Sequence, residues 1–328
     1  MKDPDIVTFQ GKKLIFFSAG TVVDIVRDDK IIIPHETWDI GLLSQNEQDG
    51  TYVLQPPVRL IDEYGQTLTE NSEDGNRFCA PGMQVFHDVD LRTNRTNTKL
   101  AMYVHTDCFT PGNRILQFQS DDGITFKKTC VALEGEPGVG KYDPQPFMID
   151  DQPYMSYVKY FADRPKYTDI HLAQQLRDDD GLQRWIELGP VITQPNIPLQ
   201  NQANDPFYEW GIEAPVFKKL TLHNGEKDVE KFVAIFVSFQ PSKDKNNVQR
   251  KTGTRQRLTI AVADKLIGEP YIPLGHLIIP QNEAGENGHG IWDGENLLFQ
   301  ERAIDGGWHI RTTSLTPADI SHTIDQTK

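Results

Sequence analysis

The most regular feature of the chain is a phrase of one apolar strand, a short polar turn and a second apolar strand, which occurs five times. Runs such as LIFF, LAMYV and FVAIFVSF have the length and the apolar or alternating character of β-strands. Gly and Asp supply the turns between them, for example at Gln10-Gly11 and Asp150-Asp151. The phrases begin near Asp3, Ala80, Asp143, Glu213 and Gly288. A repeated unit of this kind predicts an architecture built from repeats.

The distance between phrases, about 60 to 80 residues, accommodates four short strands with their loops. It exceeds the length of an ankyrin, leucine-rich or WD40 repeat. Four-stranded sheets that repeat radially form a β-propeller. We therefore predict an all-β chain in which residues 1–328 form a single five-bladed β-propeller domain. The predicted blades cover approximately residues 3–62, 78–135, 142–195, 210–280 and 286–318.

Some segments depart from the repeat. Residues 21–37 form a long insertion in the first unit. Residues 240–257 are polar and basic without periodicity, which predicts a mobile surface loop. Residues 72–77 and 195–204 are predicted to be further loops. Long loops of a propeller cover one end of its axis, where they shape a pocket.

Composition narrows the class of partner. Hydrophobic residues make up 38% of the chain and charged residues 24%, which is enough for a globular core. The net charge of −14 argues against nucleic acid or an anionic membrane as partner. No apolar run approaches the length of a membrane span. An uncharged sugar is compatible with such an acidic protein.

The sequence also gives an expectation for the compartment. Met1 is followed directly by a strand pattern rather than by the apolar core of a signal peptide. The three cysteines, Cys79, Cys108 and Cys130, are odd in number and lack the spacing of a metal site. Free thiols in a reducing environment follow, so we expect a cytoplasmic location.

Three of the five phrases open with a carboxylate that is followed by a proline at once or one residue later. These are Asp3-Pro4, Asp143-Pro144 and Glu213-Ala214-Pro215. One Asp-Pro dipeptide alone is typical of a turn or a strand start. In a radial array, however, corresponding positions converge on one axis, so acids from distant parts of the chain would face a central pocket. The recurrence favours a functional over a structural interpretation.

These phrases resemble those of the five-bladed propeller glycosidases, most of all glycoside hydrolase family 43, the arabinanase and xylosidase group. The matching phrases are Asp3-Pro4, Ala80-Pro81, Asp143-Pro144-Gln145-Pro146-Phe147, Glu213-Ala214-Pro215 and Gly288-His289-Gly290. They occur in the family's order and cover all five repeats. The resemblance implies a hydrolase that cleaves an α-L-arabinofuranosyl, β-xylosyl or related bond in a small carbohydrate or oligosaccharide.

Glycoside hydrolysis needs a proton donor for the leaving oxygen and a nucleophile for the anomeric carbon, and an inverting enzyme delivers water to that carbon. The resemblance implies that Asp3 is the general base and Glu213 the general acid. It implies that Asp143 orients Glu213 and raises the pKa of Glu213 through like-charge repulsion. Strand alternation puts Asp5 on the same face as Asp3, so Asp5 is a competing base or a sugar ligand.

Aromatic and imidazole side chains complete the candidate site. Trp38, Trp210 and Trp292 are candidates for stacking against a sugar, and Trp210 is the best placed, three residues before Glu213. We expect Trp210 and Trp292 to bind substrate. The resemblance places His289 near the axis, where it would contact substrate and help to hold a cation, so we expect no required cofactor and a possible structural calcium there.

Two other functions remain open at this point. One is a retaining enzyme of the fructosidase and fructosyltransferase type, although the residues flanking Asp3, Asp143 and Glu213 differ from those enzymes' motifs. The other is a propeller that binds a glycan without catalysis and keeps Asp143 and Glu213 as turn residues. The configuration of the product separates the two enzymes, and the absence of turnover on any glycoside favours the binding protein.

Overall fold

The computed structural model describes most of the chain, and the fold below is that of the described residues. They are 1–27, 30–69, 72–75, 77–90, 95–106, 112–161, 168–177, 183–193, 211–223, 227–243, 249–277, 287–302 and 308–321. These residues form five sheets in chain order, all antiparallel except for one outer strand, and each sheet is one blade of a propeller. The predicted five-bladed β-propeller is therefore confirmed.

The first two blades contain nine strands. Blade 1 consists of β1 (Lys2–Phe9), β2 (Lys12–Arg27), β3 (Lys30–Gln45) and β4 (Tyr52–Gln55). Blade 2 consists of β5 (Arg59–Ile61), β6 (Phe78–Asp90), β7 (Arg95–Thr106), β8 (Ile115–Ser120) and β9 (Thr125–Leu133). The strand β5 pairs in parallel with β9 at the outer edge of blade 2. Residues 59–61, which we predicted to end blade 1, thus belong to blade 2.

The other three blades contain eleven strands. Blade 3 consists of β10 (Val139–Ile149), β11 (Gln152–Phe161), β12 (Thr168–Arg177) and β13 (Gln183–Thr193). Blade 4 consists of β14 (Ile212–His223), β15 (Asp228–Lys243), β16 (Gln249–Ala263) and β17 (Ile272–His276). Blade 5 consists of β18 (Asn287–Asp293), β19 (Asn296–Arg302) and β20 (Trp308–Ser314).

The first strand of each repeated phrase is the innermost strand of its blade. Each of β1, β6, β10, β14 and β18 packs against the innermost strand of the next blade, and β18 packs against β1. The ring thus closes by side-by-side packing of blades 5 and 1, each built from one continuous part of the chain. An ion pair between Lys13 Nζ and Asp293 Oδ2, 2.8 Å apart, joins the same two blades.

The core lies between neighbouring blades, which explains why the strands read as apolar runs. Along β2, Ile15 packs with residues of blades 4 and 5, whereas the adjacent Phe16 packs with residues of blade 2. Alternate side chains of a strand point to opposite faces. Because both faces of a blade are covered, both sets of positions must be apolar, as LIFF and FVAIFVSF are.

The sequence interpretation of residues 240–257 as a mobile surface loop is wrong for the described part of this stretch. The strand β15 extends to Lys243 and β16 begins at Gln249, with Gln240 opposite Arg255 and Lys243 opposite Gln249, and residues 244–248 lie outside the described residues. The insertion at residues 21–37 is likewise a continuation of β2 and β3, in which Thr21 pairs with Thr37. Backbone pairing satisfies the strands of a hairpin whatever their side chains, so the polar extension of β15 and β16 forms without the apolar periodicity that would have predicted it.

Helix is confined to one turn in the described part of the chain, at residues 317–321, which we label α1. Thr316 and Asp319 cap its start through reciprocal bonds between side chain and backbone. Ile320 in this turn is buried against blades 4 and 5. No helix within the described ranges has the length and apolar character needed to cross a membrane.

Asp74 is the best candidate for a large stability effect away from the axis. Its carboxylate is 2% exposed and pairs with Arg114 and Lys128, the latter on β9. We expect Asp74→Ala to lower the free energy of unfolding by about 2–3 kcal/mol, because two partly buried cations lose their buried counter-ion and keep only the exposed Glu73 and Glu63. Glu73, which pairs with Arg114 at 80% exposure, is the matched control. Glu73→Ala should cost less than about 0.5 kcal/mol in the same urea titration; equal losses would contradict this assignment.

Candidate active site

One bulge recurs near the start of every innermost strand, at the same end of the axis. The ladder with the second strand shifts between Lys2 and Asp5 in blade 1. Corresponding shifts occur in the other four blades. Aligned by these shifts, the bulge positions are Asp3, Ala80, Asp143, Ala214 and His289. The axis therefore carries two acids, two alanines and one histidine at equivalent places.

Four of these positions share an unusual backbone. Asp3, Ala80, Asp143 and Ala214 have φ of 49°, 50°, 50° and 49°, and each precedes a proline. Left-handed backbone is rare for residues other than glycine, and each instance costs of the order of 1–3 kcal/mol. Since the two alanines adopt it as well as the two acids, the conformation is a property of the propeller bulge. Asp3 and Asp143 therefore adopt a left-handed backbone that the fold requires whatever the residue.

Glu213 does not occupy the same place as Asp3 and Asp143. It pairs with Val237 just before the bulge, as Lys2 pairs with Ser18 and Tyr142 with Val158. The interpretation of three acids at equivalent positions therefore holds for two of them. Glu213 lies one residue earlier, so it reaches the axis from a different point of its blade.

The three predicted catalytic acids are half-buried, whereas their surroundings are buried. Pro4, Pro144 and Pro215, which follow them, are inaccessible, as are most residues of the innermost strands. A carboxylate that is partly exposed among such buried residues borders an open space rather than the core. This is the accessibility that a substrate-contacting acid needs.

A direct hydrogen bond connects blades 3 and 4 at this end. The backbone N–H of Ala214 donates to Oδ2 of Asp143 at 3.1 Å. Because Ala214 follows Glu213, this bond fixes the Asp143 carboxylate beside the backbone of the predicted acid. The structure thus brings Asp143 and Glu213 into one neighbourhood, although they are 70 positions apart in the sequence.

Asp3 and His289 meet across the junction of blades 1 and 5. Nδ1 of His289 lies 3.9 Å from Oδ1 of Asp3. The imidazole is 4% exposed, and neither ring nitrogen has a hydrogen-bond partner within the described residues. Burial lowers the pKa of His289, which the nearby Asp3 carboxylate opposes. His289 is therefore neutral at neutral pH and has an unused donor and acceptor close to Asp3.

Asp5 is placed differently from Asp3. Its side chain is 1% exposed, and it accepts the backbone N–H groups of Ile6 and Met83 and Nε2 of Gln145, the last at 2.9 Å. These contacts tie together blades 1, 2 and 3. Burial raises the pKa of Asp5 to about 7, although the three hydrogen bonds oppose the shift. In this position Asp5 has no open space into which a sugar could enter.

The raised pKa of Asp5 predicts a pH effect on stability. Between about pH 4 and 7 the folded protein binds more protons at Asp5 than the unfolded chain does, so stability falls as the pH rises. The loss is at most about 4 kcal/mol, at about 1.4 kcal/mol for each pH unit. Urea unfolding of wild type and Asp5→Asn over this range should show the steeper decline in wild type. Parallel curves would contradict the assignment.

Trp38 and Trp292, two of the candidates for stacking against a sugar, lie in different places. The Trp38 ring covers the Cα of Gly20, where an added Cβ would lie 2.8 Å from the ring, and Lys2 Nζ lies 5.7 Å from the ring centroid. Trp38 therefore lies next to Lys2, at the start of β1. Trp292 lies three residues after His289, near the β18–β19 turn, and packs with the core of blades 4 and 5. That is about 10 Å further along the strand, so the structure does not bring Trp292 into this group. Trp210 lies outside the described residues.

Two buried residues hold the acids in a way that the sequence did not reveal. Oε1 of Gln300 accepts the backbone N–H of Asp3 at 2.9 Å. Nδ1 of His105 accepts the backbone N–H of Asp143 at 3.3 Å. His105 lies in no motif that the sequence analysis singled out, and Gln300 follows the apolar run LLF without any motif. Only the pairing of strands brings them to the acids.

A protein-held metal ion does not fit this set of donors. Among the residues that the structure describes, no three His, Cys, Asp or Glu side chains are grouped to hold one. Calcium takes 6–8 oxygen ligands, whereas His289 offers one nitrogen at a time. The unpartnered nitrogens of His289 suit an ordered water, or an ion that keeps most of its hydration shell.

Comparisons with known proteins agree with the architecture. No protein-family model and no curated protein matches the chain. A family 43 endo-arabinanase from Bacillus licheniformis is 12% identical with a TM-score of 0.60, over 96% of this chain and 93% of that one. An exo-1,5-α-L-arabinanase from a bovine ruminal metagenomic library is 13% identical with a TM-score of 0.55, over 95% and 92%.

A third structure comes from a compost microbial metagenome. This family 43 β-xylosidase/α-arabinofuranosidase is 19% identical with a TM-score of 0.54, over 96% of this chain and 91% of that one. Identities this low establish the fold, which is that of the family 43 propellers over nearly the whole length. The resemblance inferred from the five phrases is confirmed at the level of fold.

Proposed function

We propose that the chain is a glycoside hydrolase that cleaves an α-L-arabinofuranosyl, β-xylosyl or related bond in an oligosaccharide, with inversion of configuration. The observation that carries this proposal is the bond from Ala214 N–H to Asp143 Oδ2, which holds one carboxylate against the residue that directly follows a second acid, Glu213. Paired acids at one end of a propeller axis are what general acid and base catalysis requires. A structural role for Asp143 alone would not require a half-exposed Glu213 beside it.

Within this proposal each of the three acids has a separate role in the reaction. Glu213 donates a proton to the glycosidic oxygen as the bond breaks. The negative charge of Asp143 favours the protonated form of Glu213 between turnovers. Asp3 removes a proton from the water that attacks the anomeric carbon. Asp3 is preferred over Asp5 as base because Asp3 is half-exposed, whereas Asp5 is buried and committed to three hydrogen bonds.

Substrate contacts follow from the same placement. Trp38, beside Lys2 at the start of β1, offers an aromatic surface for the apolar face of a sugar ring. His289 carries an unused donor and acceptor next to Asp3, which suits a sugar hydroxyl or a water that bridges to it. Trp210 and a cation on the axis remain candidates of the sequence interpretation. No catalytic step requires a metal in this scheme.

The test is a substrate panel with configuration as the readout. Wild-type protein is incubated with arabino- and xylo-oligosaccharides, aryl α-L-arabinofuranosides, aryl β-xylosides and fructosides, and the first anomer released is identified by NMR. Turnover of a pentoside with inversion supports the proposal. Retention, or turnover of fructosides alone, would favour the fructosidase type, and binding of a glycan without any turnover would favour the non-catalytic propeller.

A further inference from the structure

A series of side chains, here called the girdle, binds the backbone of the bulges in neighbouring blades. A bulge takes one backbone N–H out of the ladder, and a buried N–H needs another acceptor. In four blades that acceptor is a side chain of the preceding blade. The bonds run from Asp3 N–H to Gln300 Oε1 at 2.9 Å, Ala80 N–H to Ser18 Oγ at 2.8 Å, Asp143 N–H to His105 Nδ1 at 3.3 Å and Ala214 N–H to Asp143 Oδ2 at 3.1 Å.

Three of the four acceptors occupy one structural position. Ser18, His105 and Gln300 lie on the second strand of their blades, opposite the residue that precedes the bulge. All three are buried. Blade 3 has Val158 at that position, which offers no acceptor, and there the carboxylate of Asp143 binds the next bulge instead. The girdle thus passes through the candidate active site.

We propose that His105 and Gln300 are positioning residues of the active site, His105 for Asp143 and Gln300 for Asp3. This inference rests on the proposed glycosidase function and names two residues through which it works. Asp143 and Asp3 have left-handed backbone before a proline, a conformation that persists only where the surroundings enforce it. The side chain that binds each N–H therefore sets the direction in which the carboxylate leaves the strand.

Gln300 is itself held in one orientation. Gly288 lies under its amide, and a Cβ at Gly288 would be 2.1 Å from Nε2 of Gln300 and 2.4 Å from Oε1 of Gln256. The Nε2 group of Gln300 donates to that Gln256 oxygen at 3.5 Å. Because Gly288 has no side chain, the amide of Gln300 can cross the strand. Oε1 of Gln300 then faces Asp3.

His105 is held by packing. Its ring makes an edge-on contact with the ring of Tyr142, with the centroids 5.3 Å apart, and Tyr142 immediately precedes Asp143. Since Nδ1 accepts the Asp143 N–H, Nδ1 carries no proton. Asparagine places its Oδ1 where histidine has Nδ1, so His105→Asn keeps an acceptor at this point. His105→Phe keeps the ring and removes the acceptor.

The His105 variants provide the first test. The kcat and KM values are measured on a natural oligosaccharide and on an aryl glycoside with an activated leaving group. His105→Phe should lower kcat on the oligosaccharide by about 100-fold, with little change in KM, because a catalytic group moved by about 1 Å loses that much. The loss on the aryl glycoside should be much smaller, since Asp143 serves the proton donor. His105→Asn should recover most of the activity.

Gln300→Leu and Ser18→Ala complete the design. Gln300→Leu should lower kcat equally on both substrates, because the base is needed for each. Ser18→Ala is the matched control, because it removes the same kind of bond at a bulge whose residue, Ala80, has no chemistry. It should keep wild-type kcat. Thermal unfolding of every variant establishes that the protein is folded, and His105→Leu, which also removes the acceptor, replaces His105→Phe if the latter does not fold.

Two outcomes would overturn the inference. One is wild-type kcat in folded His105→Phe and Gln300→Leu. The other is a loss in Ser18→Ala as large as theirs, which would show that the girdle only stabilises the ring. Failure of the proposed function looks different, because then the wild type itself hydrolyses no glycoside, or Glu213→Gln has no effect on kcat.

Discussion

Glu213→Gln should lose hydrolysis of a natural oligosaccharide by about 10²–10⁴-fold while it keeps most of its activity on an activated aryl glycoside. An amide has no proton to give to the glycosidic oxygen, and an activated leaving group departs without one. The substitution conserves the size of the side chain, and Glu213 is half-buried at the edge of an open space, so the fold should be unaffected. Initial rates on the two substrates under one buffer condition provide the measurement.

The control for this variant is Glu230→Gln. Glu230 lies on β15 of the same blade, exposed, in an ion pair with Lys219. Its amide variant should keep wild-type rates on both substrates. If Glu213→Gln loses both activities to the same extent, Glu213 positions the sugar and does not donate the proton.

Asp3→Asn should abolish hydrolysis of both substrates, with kcat lower by about 10³-fold or more. Even an activated leaving group needs a nucleophile, and in an inverting mechanism the base must take the proton from water. Asparagine adopts left-handed backbone readily, so the bulge at φ 49° should be retained. The Gln300 bond is to the backbone of residue 3 and is unaffected by the change.

Asp5→Asn separates the two candidate bases. Asp5 is buried between three blades, so its variant should show altered stability and keep substantial turnover. Full activity in Asp3→Asn together with none in Asp5→Asn would transfer the role of base to Asp5. Loss of folding in Asp3→Asn is detected by thermal unfolding and is a separate result from loss of kcat.

The fold could be predicted because each blade repeats a local signal. The innermost strand, its turn and its partner strand lie together in the sequence, and the residue before proline marks the bulge in four blades. The same local information identified Asp3 and Asp143. Glu213 lies one position before its bulge, because the residue before the proline in this blade is Ala214.

Other features depend on contacts between distant segments. His105 and Gln300 are positioning residues in the account above only because each faces the bulge of another blade. The pairing of β5 with β9 is likewise a contact between segments about 65 positions apart. The polar extension of the β15–β16 hairpin has no apolar alternation from which the sequence could predict it. By contrast, counting three strand residues from His289 would have placed Trp292 away from the site.

The most direct test of the central claim is a crystal structure of the Glu213→Gln protein with a xylo- or arabino-oligosaccharide bound. The account predicts a sugar at the bulge end of the axis, with the scissile glycosidic oxygen about 2.6–3.2 Å from the amide at position 213. It also predicts a water between the Asp3 carboxylate and the anomeric carbon on the opposite face of that sugar. A sugar bound elsewhere on the propeller, or one in this pocket with no glycosidic oxygen near position 213, would contradict it.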